Sequence, residues 1–357
     1  MAQKIVFFHL LNNFTGSPQV LRNVIEVAKN NGQKVELFTS SGEGFLSDIS
    51  GVSYHSNFYI RSRFRIITLF TFFLSQLLVL TKLWRYRRED CVFYVNTILP
   101  FSAIWMGRFL GKKVIVHVHE FEISPRLLNN FLFWVVRSFA DEIVVVSNFL
   151  AANESLSGRS PKVIYNCVKL EIENASKLPE IQRGEFNVVM LASLREYKGI
   201  NEFRVLATRL PELAFDLILS DSDQEVLNWK SQFSIPSNLN IWPVQSSVIE
   251  WYSKASIVLN LAHPDKWLET FGMTILEGMY FGLPAIVPTK GGVTELVEDG
   301  VNGYLVDYTD LNRIEFLLKE ISSSPVKWRD LSEGAKLKAL VFSRENFSIQ
   351  VTNLLFS

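Results

Sequence analysis

The sequence predicts an α/β protein with two doubly wound domains, each built on a mainly parallel sheet. Short runs rich in β-branched and aromatic residues alternate with helical patterns from one end of the 357 residues to the other. Several of these runs are apolar throughout, as is typical of strands that helices cover on both faces. A chain of this length exceeds one typical core and suits two domains.

Strand candidates fall into two sets, one in each half of the chain. The first set is Lys4–Leu10, Lys34–Ser40, Cys91–Asn96, Lys113–His119, Glu142–Ser147 and Lys162–Asn166. The second set is Phe186–Ser193, Phe215–Ser220, Leu239–Val244, Ser256–Ala262, Pro284–Pro288 and Gly303–Asp307. A polar stretch with Pro179 and Gly184 separates the sets and predicts a linker over residues 169–185. The predicted domains are therefore residues 1–168 and 186–340, with a helix over 341–357 that is expected to cross back to the first domain.

The overall charge argues against a nucleic-acid partner, because 36 Lys and Arg residues balance 36 Asp and Glu residues. The two cysteines, Cys91 and Cys167, lie in or beside apolar runs, where buried reduced thiols are expected. The apolar run Ile5–Leu11 is short, and Asn12-Asn13 after it does not resemble a signal cleavage site. These features indicate a cytoplasmic protein.

Residues 61–88 hold an apolar run, Ile66–Thr81, between two basic clusters. A helix of this run would rise about 24 Å, less than the roughly 30 Å of bilayer hydrocarbon. Thr68, Thr71 and Ser75 would form one narrow polar stripe on it. The pattern fits a buried helix of the first domain or an interfacial helix on anionic lipid, and favours a true membrane span least. The flanking cations are Arg61, Arg63, Arg65, Lys82, Arg85, Arg87 and Arg88.

Residues 269–277 read Glu-Thr-Phe-Gly-Met-Thr-Ile-Leu-Glu and open a predicted helix soon after a strand. The start of a helix offers unpaired amides and a partial positive charge, which suit a diphosphate. Phe271, Gly272 and Met273 would supply these amides, and Gly272 lets the backbone approach closely. The segment therefore predicts a phosphate-binding site.

Two glutamates, Glu269 and Glu277, lie eight residues apart, just over two helical turns, so both carboxylates could face one edge of a cleft. A solvated helix face is the alternative interpretation of two acidic residues. It fits poorly because Ile275, Leu276 and Met279 surround Glu277, and a carboxylate is costly to bury without hydrogen-bond donors. Sugar hydroxyls are such donors.

This segment resembles the E-x7-E signature of the retaining GT-B glycosyltransferases of family GT4, and the resemblance extends over essentially the whole chain. It continues in Gly291, Gly292, Glu295, Asp299, Gly300 and Gly303. The resemblance implies a GT-B fold, with two Rossmann-like domains facing a central cleft. It also implies a nucleoside-diphosphate sugar as co-substrate, transfer with retained anomeric configuration, and no cofactor or metal.

The resemblance also implies roles for residues of the second domain. Glu269 would contact hydroxyls of the transferred hexose, Glu277 the ribose, and Lys198 the phosphates beside the Phe271–Met273 amides. The usual arginine position of the family is occupied by Ser193, and Arg195 is the candidate to reach the phosphates instead. Cations at this place would neutralise the charge that builds up as the diphosphate departs.

In the first domain the resemblance places Gly16 in a loop that faces the donor phosphate and the acceptor. His119 matches an active-site histidine near the reacting carbon, and domain closure would bring it and the Gly16 loop over that carbon. Asn166 matches a donor-site asparagine before the hinge, where Cys167 replaces the usual glycine. His117, two residues before His119, is interpreted as a core histidine.

A metal site is not predicted. Asp221-Ser-Asp223 copies the D-x-D pattern of the other large glycosyltransferase fold, but its place after a strand indicates a turn and a helix cap. No His and Cys residues show metal-ligand spacing.

The acceptor is less well defined by the sequence. Residues 61–88 and the aromatic stretch Phe131–Trp134 suggest a lipid-linked or membrane-proximal glycan, made on the cytoplasmic face of the membrane. Glu120 and Glu122 are candidates to act on an acceptor hydroxyl, with an exposed loop as the alternative.

The predicted function is hexose transfer from a nucleoside-diphosphate sugar to a hydroxyl of a glycan or lipid-linked glycan, in polysaccharide or glycoconjugate biosynthesis. The alternatives are a GT-B sugar-nucleotide epimerase or phosphorylase, and a catalytically degenerate partner or scaffold subunit.

Overall fold

The structure of the chain, a computed structural model, describes residues 3–62, 64–178 and 184–356, and for Arg65 the backbone alone. Arg63 of the predicted basic cluster and Pro179 of the predicted linker lie outside these ranges. The chain divides into two compact units. The first is Met1–Asn166 with Glu345–Ser357, and the second is Cys167–Arg344.

The first unit is built on a parallel sheet. Its strands are β1 Lys4–Phe8, β2 Lys34–Ser40, β3 Val52–Asn57, β4 Cys91–Asn96, β5 Lys113–Val118, β6 Glu142–Val145 and β7 Lys162–Val163. They are arranged in the order β3-β2-β1-β4-β5-β6-β7, and every neighbouring pair is parallel. All six residues of β4 are buried, as expected for a central strand between layers of helices.

The second unit repeats this architecture. Its strands are β8 Asn187–Ala192, β9 Ala214–Leu219, β10 Leu239–Trp242, β11 Ile257–Leu259, β12 Ala285–Val287 and β13 Gly303–Leu305. Their order is β10-β9-β8-β11-β12-β13, again with parallel pairing throughout. One cluster of buried apolar residues joins these strands to helices on their flanks.

Helices connect the strands of both sheets. Those of the first unit are α1 Gly16–Asn30, α2 Arg65–Leu83, α3 Phe101–Phe109, α4 Arg126–Phe139 and α5 Asn148–Ala151. Those that follow are α6 Leu170–Ser176, α7 Ile200–Arg209, α8 Asp223–Lys230, α9 Ile249–Lys254, α10 Met273–Tyr280, α11 Leu311–Ser323, α12 Pro325–Ala339 and α13 Arg344–Phe356. Shorter 3-10 turns are Trp84–Arg88, Glu154–Leu156, Glu196–Lys198, Gly292–Glu295 and Leu340–Phe342.

All twelve predicted strands form, most of them a few residues shorter than predicted. The sequence pattern misses β3, because this edge strand is mainly polar and has one buried residue. Part of the predicted linker, Leu170–Ser176, is the helix α6 rather than irregular chain. In the last helix, the Thr352 hydroxyl accepts a hydrogen bond from Asn31, and Lys113 donates to the Leu354 carbonyl.

Each sheet reverses its strand order once, between β1 and β4 and between β8 and β11. In doubly wound sheets the crevice beyond the carboxyl ends of such strands is where ligands bind. The loops that follow β1, β4, β8 and β11 are therefore where functional side chains are expected.

The helix α2 forms as predicted, but its polar side faces the protein. Gln76 is buried and accepts hydrogen bonds from the amide and hydroxyl of Ser102, and Ser75 is fully buried. The opposite side is apolar and exposed, with Ile66 84% and Phe70 67% accessible. The interpretation as a buried core helix is therefore wrong for this outer side.

Among the described residues one segment, Ile66–Arg88, is long and apolar enough to cross a membrane by length and composition. A third of its most apolar stretch is buried inside the protein.

Candidate active site

In the second unit, an ion pair joins the loop after β8 to the loop after β11. Lys198 Nζ lies 2.9 Å from Glu269 Oε2, and both side chains are only about one-fifth to one-quarter exposed, at 20% and 24%. The same ammonium lies 5.1 Å from the ring centre of Trp267. The pairing of β8 with β11 brings together residues that are 71 positions apart.

Gly199 fixes the path of the chain directly after Lys198. Its φ of +78° is in the left-handed region, and a Cβ there would lie 2.2 Å from the carbonyl oxygen of Leu261. No larger residue fits this contact without displacement of the backbone. The glycine thus lets the lysine loop lie against the end of β11.

A second glycine contact holds the backbone of Glu269. The amide of Gly292 donates to the Glu269 carbonyl at 2.7 Å, and a Cβ on Gly291 would lie 2.8 Å from the same oxygen. Gly291 also has a φ of +110°. Gly291 and Gly292 therefore position Glu269, although they come more than twenty residues after it in the sequence.

The helix after Glu269 begins four residues later than predicted. Gly272, with φ +105°, precedes the first helical residue, Met273, so Glu269 lies in the preceding loop. The prediction that Glu269 and Glu277 are two turns apart on one helix is therefore wrong. The start of α10 still presents the amides of Gly272 and Met273, because first-turn amides have no acceptor within the helix. The side chain of Phe271 is buried against Phe342.

Glu277 lies in the second turn of α10, half-buried beside Tyr252. The Tyr252 hydroxyl is 3.1 Å from Glu277 Oε2 and 3.0 Å from the Thr274 carbonyl oxygen. Burial raises the pKa of Glu277 to about 7, although Lys169 and the Tyr252 hydrogen bond act in the opposite direction. The carboxyl group therefore changes its charge near neutral pH.

The predicted turn after β9 is confirmed. Asp221 Oδ2 accepts the amide of Leu194 at 2.5 Å, and Ser222 forms a capping box with Glu225 at the start of α8. Arg195 is exposed in the loop after β8, so its predicted contact with phosphate stays a prediction. In the described part of the chain, no group of three or more His, Cys, Asp or Glu residues could hold a metal ion.

In the first unit, three polar side chains meet beyond the ends of β1, β4 and β5. Asn96 Oδ1 lies 2.9 Å from His119 Nε2, and Asn96 Nδ2 lies 3.0 Å from His9 Nδ1. Asn96 Nδ2 also donates to the carbonyl of Ser17 at 3.0 Å, in the first turn of α1. The predicted residue His119 and the loop of Gly16 are thereby linked through a residue that the sequence analysis did not select.

His117 is fully buried, which confirms its interpretation as a core histidine. Its Nδ1 pairs with the Tyr94 hydroxyl at 2.8 Å, and its ring lies 4.4 Å from that of His119. Burial lowers the pKa of His119 well below the usual value, and His117 and His9 lower it further. His119 is therefore neutral at physiological pH.

Glu120 is half-buried and does not lie in an exposed loop, whereas Glu122 is exposed. Glu120 Oε2 accepts the amides of Ile98 and His119 at 3.3 and 3.2 Å. Burial raises the pKa of Glu120 to about 7 in spite of these contacts.

Gly16 is exposed, whereas Asn166 is buried. Gly16 is exposed at the first position of α1, and a Cβ there would meet nothing within 4 Å, so sterics do not require a glycine. Asn166 is buried, and its Oδ1 has no hydrogen-bond partner among the described residues. Its neighbour Cys167 is buried and is not part of a disulfide.

Several contacts of these sites could not be read from the sequence. Asn96 had one signal, its position as the polar last residue of an otherwise apolar strand. Neither Tyr252 nor Trp267 could be recognised from the sequence pattern. Tyr252 contacts Glu277 and Trp267 contacts Lys198, and each contact joins separate parts of the second unit.

Comparisons with known proteins agree with this architecture. A family model described as glycosyl transferases group 1 matches residues 171–338, and one described as glycosyltransferase family 4 matches residues 14–172. N-acetyl-alpha-D-glucosaminyl L-malate synthase of Bacillus anthracis is 23% identical over 274 residues, which cover 70% of each chain. An uncharacterized 41.2 kDa protein in the cps region of Klebsiella pneumoniae is 22% identical over 268 residues, 67% of this chain and 71% of that protein.

Among solved structures, the Anabaena protein HepE in complex with UDP-glucose superposes with a TM-score of 0.79 at 18% identity, over 99% of both chains. This likeness shows the GT-B fold. Together, the two family models span nearly the whole chain and assign both units. The chain belongs to the GT4-type glycosyltransferases, glycosyl transferases group 1, and is a transferase with the GT-B fold.

Proposed function

We propose that the chain transfers a hexose from a nucleoside-diphosphate sugar to a hydroxyl of a glycan or lipid-linked glycan, with retention of the anomeric configuration. The observation that carries the proposal is the pair Lys198–Glu269, 2.9 Å apart, in loops at the strand-order reversal of the second sheet. A partly buried cation and carboxylate at such a place suit a ligand that has both phosphate and hydroxyl groups.

The second unit is proposed to bind the donor. Lys198 and the amides at the start of α10 would hold the diphosphate, Glu269 a hexose hydroxyl, and Glu277 the ribose. Arg195 is a further candidate cation for the phosphates. HepE was solved with UDP-glucose, which supports a uridine donor.

The proposed reaction exchanges one C1–O bond for another. The bond from the sugar C1 to the diphosphate oxygen breaks, and a bond from C1 to the acceptor oxygen forms on the same face. The acceptor proton passes to the departing phosphate oxygen. Lys198 would stabilise the negative charge on the leaving group, so protein cations take the role that a metal has in other transferases.

In the first unit, Gly16 and His119 are proposed to lie beside the reacting sugar, and Asn166 is proposed to contact the donor. Glu120, whose pKa is raised to about 7, is a candidate to accept a proton from the acceptor hydroxyl on its way to the phosphate.

Thermal unfolding with nucleoside diphosphates and their sugars tests the donor site. A ligand that binds the folded state alone raises Tm by mass action, with about 2.7 kcal/mol of stabilisation at a hundred times Kd. Loss of a charge-assisted hydrogen bond costs about 1.5–3 kcal/mol, so Lys198→Ala should weaken binding roughly 10- to 100-fold. Glu277→Ala should weaken binding of the same nucleotide.

Lys319→Ala is the matched control, because this lysine pairs with Glu315 on an exposed part of α11. It should retain the wild-type shift. A wild-type protein that responds to no nucleotide, or a Lys198→Ala variant that responds fully, would contradict the proposed donor site.

Retention and metal independence are tested on the product. The anomeric configuration of the new linkage, measured by NMR coupling constants, should equal that of the donor. Activity should persist in EDTA. An inverted product would contradict the proposed stereochemistry, and release of a free epimerised sugar without acceptor would favour an epimerase.

We propose that the enzyme is cytoplasmic and binds the anionic surface of the membrane through an aromatic face on the first unit. This aromatic face consists of the outer residues of α2, α3 and α4, namely Phe70, Phe73, Leu77, Trp105, Phe109, Leu127, Phe131 and Trp134, all of which are exposed. Phe101 of α3 joins the three helices, because its ring centre lies 6.3 Å from that of Phe73 in α2 and 5.1 Å from that of Phe131 in α4. A continuous apolar surface with aromatic residues is typical of proteins that lie in a membrane interface.

The cations near this face divide into two groups. Lys82 donates a hydrogen bond to the Ser56 carbonyl, and Arg85 forms an ion pair with Glu36 at 2.7 Å. These two cations are therefore engaged in contacts within the first unit. Arg87 and Arg88 are exposed at the end of the same segment and are available for lipid headgroups.

Co-sedimentation with vesicles tests the aromatic face. The wild type should sediment with vesicles of phosphatidylcholine and phosphatidylglycerol, and a smaller fraction of it should sediment with vesicles of pure phosphatidylcholine. Phe70→Asp should reduce binding at least tenfold, because it places a charge in the apolar surface. Leu227→Asp, at an exposed site of the second unit, is the control and should bind like wild type. Equal binding of both variants would contradict the proposal.

A further inference from the structure

We infer that Asn96 is a positioning residue that holds His119 in the tautomer protonated at Nε2, so that Nδ1 is left as the acceptor for a substrate hydroxyl. The part that concerns the substrate rests on the proposed transfer reaction. The part that concerns the tautomer rests only on contacts within the first unit.

The orientation of the Asn96 amide follows from the Ser17 carbonyl. An amide oxygen and an amide nitrogen are assigned from their partners, since their positions alone do not distinguish them. The Ser17 carbonyl oxygen accepts hydrogen bonds and cannot donate, so the group 3.0 Å from it must be the Asn96 NH2. Asn96 Oδ1 therefore faces His119.

The tautomer of His119 follows from that orientation. Asn96 Oδ1 can only accept, and it lies 2.9 Å from His119 Nε2, so this nitrogen must carry the proton. The same side-chain NH2 of Asn96 lies 3.0 Å from His9 Nδ1. His9 Nδ1 is also 3.3 Å from the backbone carbonyl oxygen of Asn96. Because the orientation of the Asn96 amide is fixed, His9 Nδ1 accepts the hydrogen bond from the Asn96 NH2, the shorter of its two contacts.

The surroundings keep His119 neutral. The titratable groups around it are His117 on β5, His9 after β1, and the carboxyl of Glu120, whose Oε2 accepts the His119 backbone amide. Burial and the two histidines disfavour a second proton on the ring. A neutral ring with hydrogen on Nε2 has a lone pair on Nδ1.

Nδ1 of His119 has no hydrogen-bond partner among the described residues, so it is available to a ligand. A lone pair needs a donor, and in a nucleotide sugar or a glycan the abundant donors are hydroxyl groups. His119 would therefore accept a hydrogen bond from the substrate and would not protonate the leaving group. Because Asn96 also holds Ser17, the start of α1 and the histidine are positioned by the same side chain.

NMR of protein labelled with 15N at its five histidines tests the tautomer without any substrate. Protonated and unprotonated ring nitrogens have well-separated shifts, and His119→Gln identifies the signals of His119. We expect Nε2 protonated and Nδ1 unprotonated, with no titration between pH 5.5 and 8. A signal from Nδ1–H, or a titration midpoint in this range, would overturn the inference.

Asn96→Leu and Tyr94→Phe form a matched pair. Asn96→Leu removes the partner of His119, and should shift both of its ring nitrogens toward an average of the two tautomers. Tyr94→Phe removes the hydroxyl that lies 2.8 Å from His117 Nδ1, and should alter the His117 signals alone. A His119 spectrum that is unchanged in Asn96→Leu would show that Asn96 does not select the tautomer.

Asn96→Asp gives a kinetic readout that a purely structural role would not produce. Its carboxylate would face His119 Nε2 and stabilise the charged ring, so the pKa of His119 should rise. We expect the ratio of the variant's kcat/KM to that of the wild type, measured at the same pH, to fall at least tenfold from pH 8 to pH 6. A variant with lower Tm but an unchanged pH profile would contradict the positioning role. Failure of the transfer reaction itself would leave the NMR result standing, so the two failures can be told apart.

Discussion

Alanine in place of Gly199 should be far more damaging than alanine in place of Gly300. The two glycines have nearly equal φ, +78° and +76°, and both lie in the second unit. An L-residue in this left-handed region costs about 1–2 kcal/mol at either position. At Gly300 the new Cβ would meet nothing within 4 Å, so we expect no further loss.

At Gly199 the new Cβ would lie 2.2 Å from the Leu261 carbonyl oxygen, where ordinary contacts begin at 3.4 Å. The backbone would have to separate by about 1 Å, and overpacking of this kind costs about 1–3 kcal/mol more. The movement would also displace Lys198, the residue directly before it, from Glu269.

Calorimetry and nucleotide titration measure both effects. The second unit runs from Cys167 to Arg344, and for a unit of this size 1 kcal/mol corresponds to about 2–4 °C in Tm. Gly300→Ala should lower the transition of this unit by a few degrees and bind nucleotide normally. Gly199→Ala should lower it by several degrees more and bind at least tenfold more weakly. Equal losses of Tm in the two variants would refute the role of the Leu261 contact.

Three further predictions concern the donor site. Because burial raises the pKa of Glu277 to about 7, this carboxyl holds a proton in the folded protein that it releases in the unfolded chain, so the contribution of Glu277 to stability without ligand should fall as pH rises from 5 to 7. In urea titrations, Glu277→Gln should therefore gain unfolding free energy relative to the wild type as pH rises over this interval, and it should also abolish the rise in nucleotide affinity that ionisation of the carboxyl causes. Tyr252→Phe removes a hydroxyl 3.1 Å from Glu277 and should cost about 0.5–1.5 kcal/mol of unfolding free energy, with several-fold weaker nucleotide binding. A double-mutant cycle of Lys198→Met and Glu269→Gln should give a coupling energy of about 0.5–3 kcal/mol without ligand, and additive effects would show that the pair does not interact.

Much of the second sheet and its site could be predicted because the signals are local. A strand followed by a glycine-rich turn and a helix places its loop at the carboxyl edge of a parallel sheet, wherever the rest of the chain lies. Glu269 was predicted from its place at the start of a helix after a strand, and Lys198 from the resemblance of its loop to that of the family; the pairing of β8 with β11 brings the two into contact. The start of α10 was predicted less well, since helix ends depend on a cap such as Gly272, whose conformation the sequence pattern does not fix.

The direction that a helix faces could not be predicted in the same way. The polar stripe of α2 was read from its spacing alone, but which side lies against the protein depends on Ser102, which contacts Gln76 from α3. Likewise, Asn96 is an ordinary strand residue until β1 and β5 pair beside it and bring His9 and His119 within hydrogen-bond distance.

Hydrophobic periodicity and motif spacing are properties of short segments, so the two α/β units, the loops that carry Lys198, Glu269 and His119, and the family could be predicted from the amino-acid sequence. Which side chains face one another depends instead on how the whole chain packs. The Asn96 network, the Tyr252–Glu277 contact and the outward apolar side of α2 each join residues from separate elements. Their geometry depends on strand order and helix packing, which no single segment of the chain encodes.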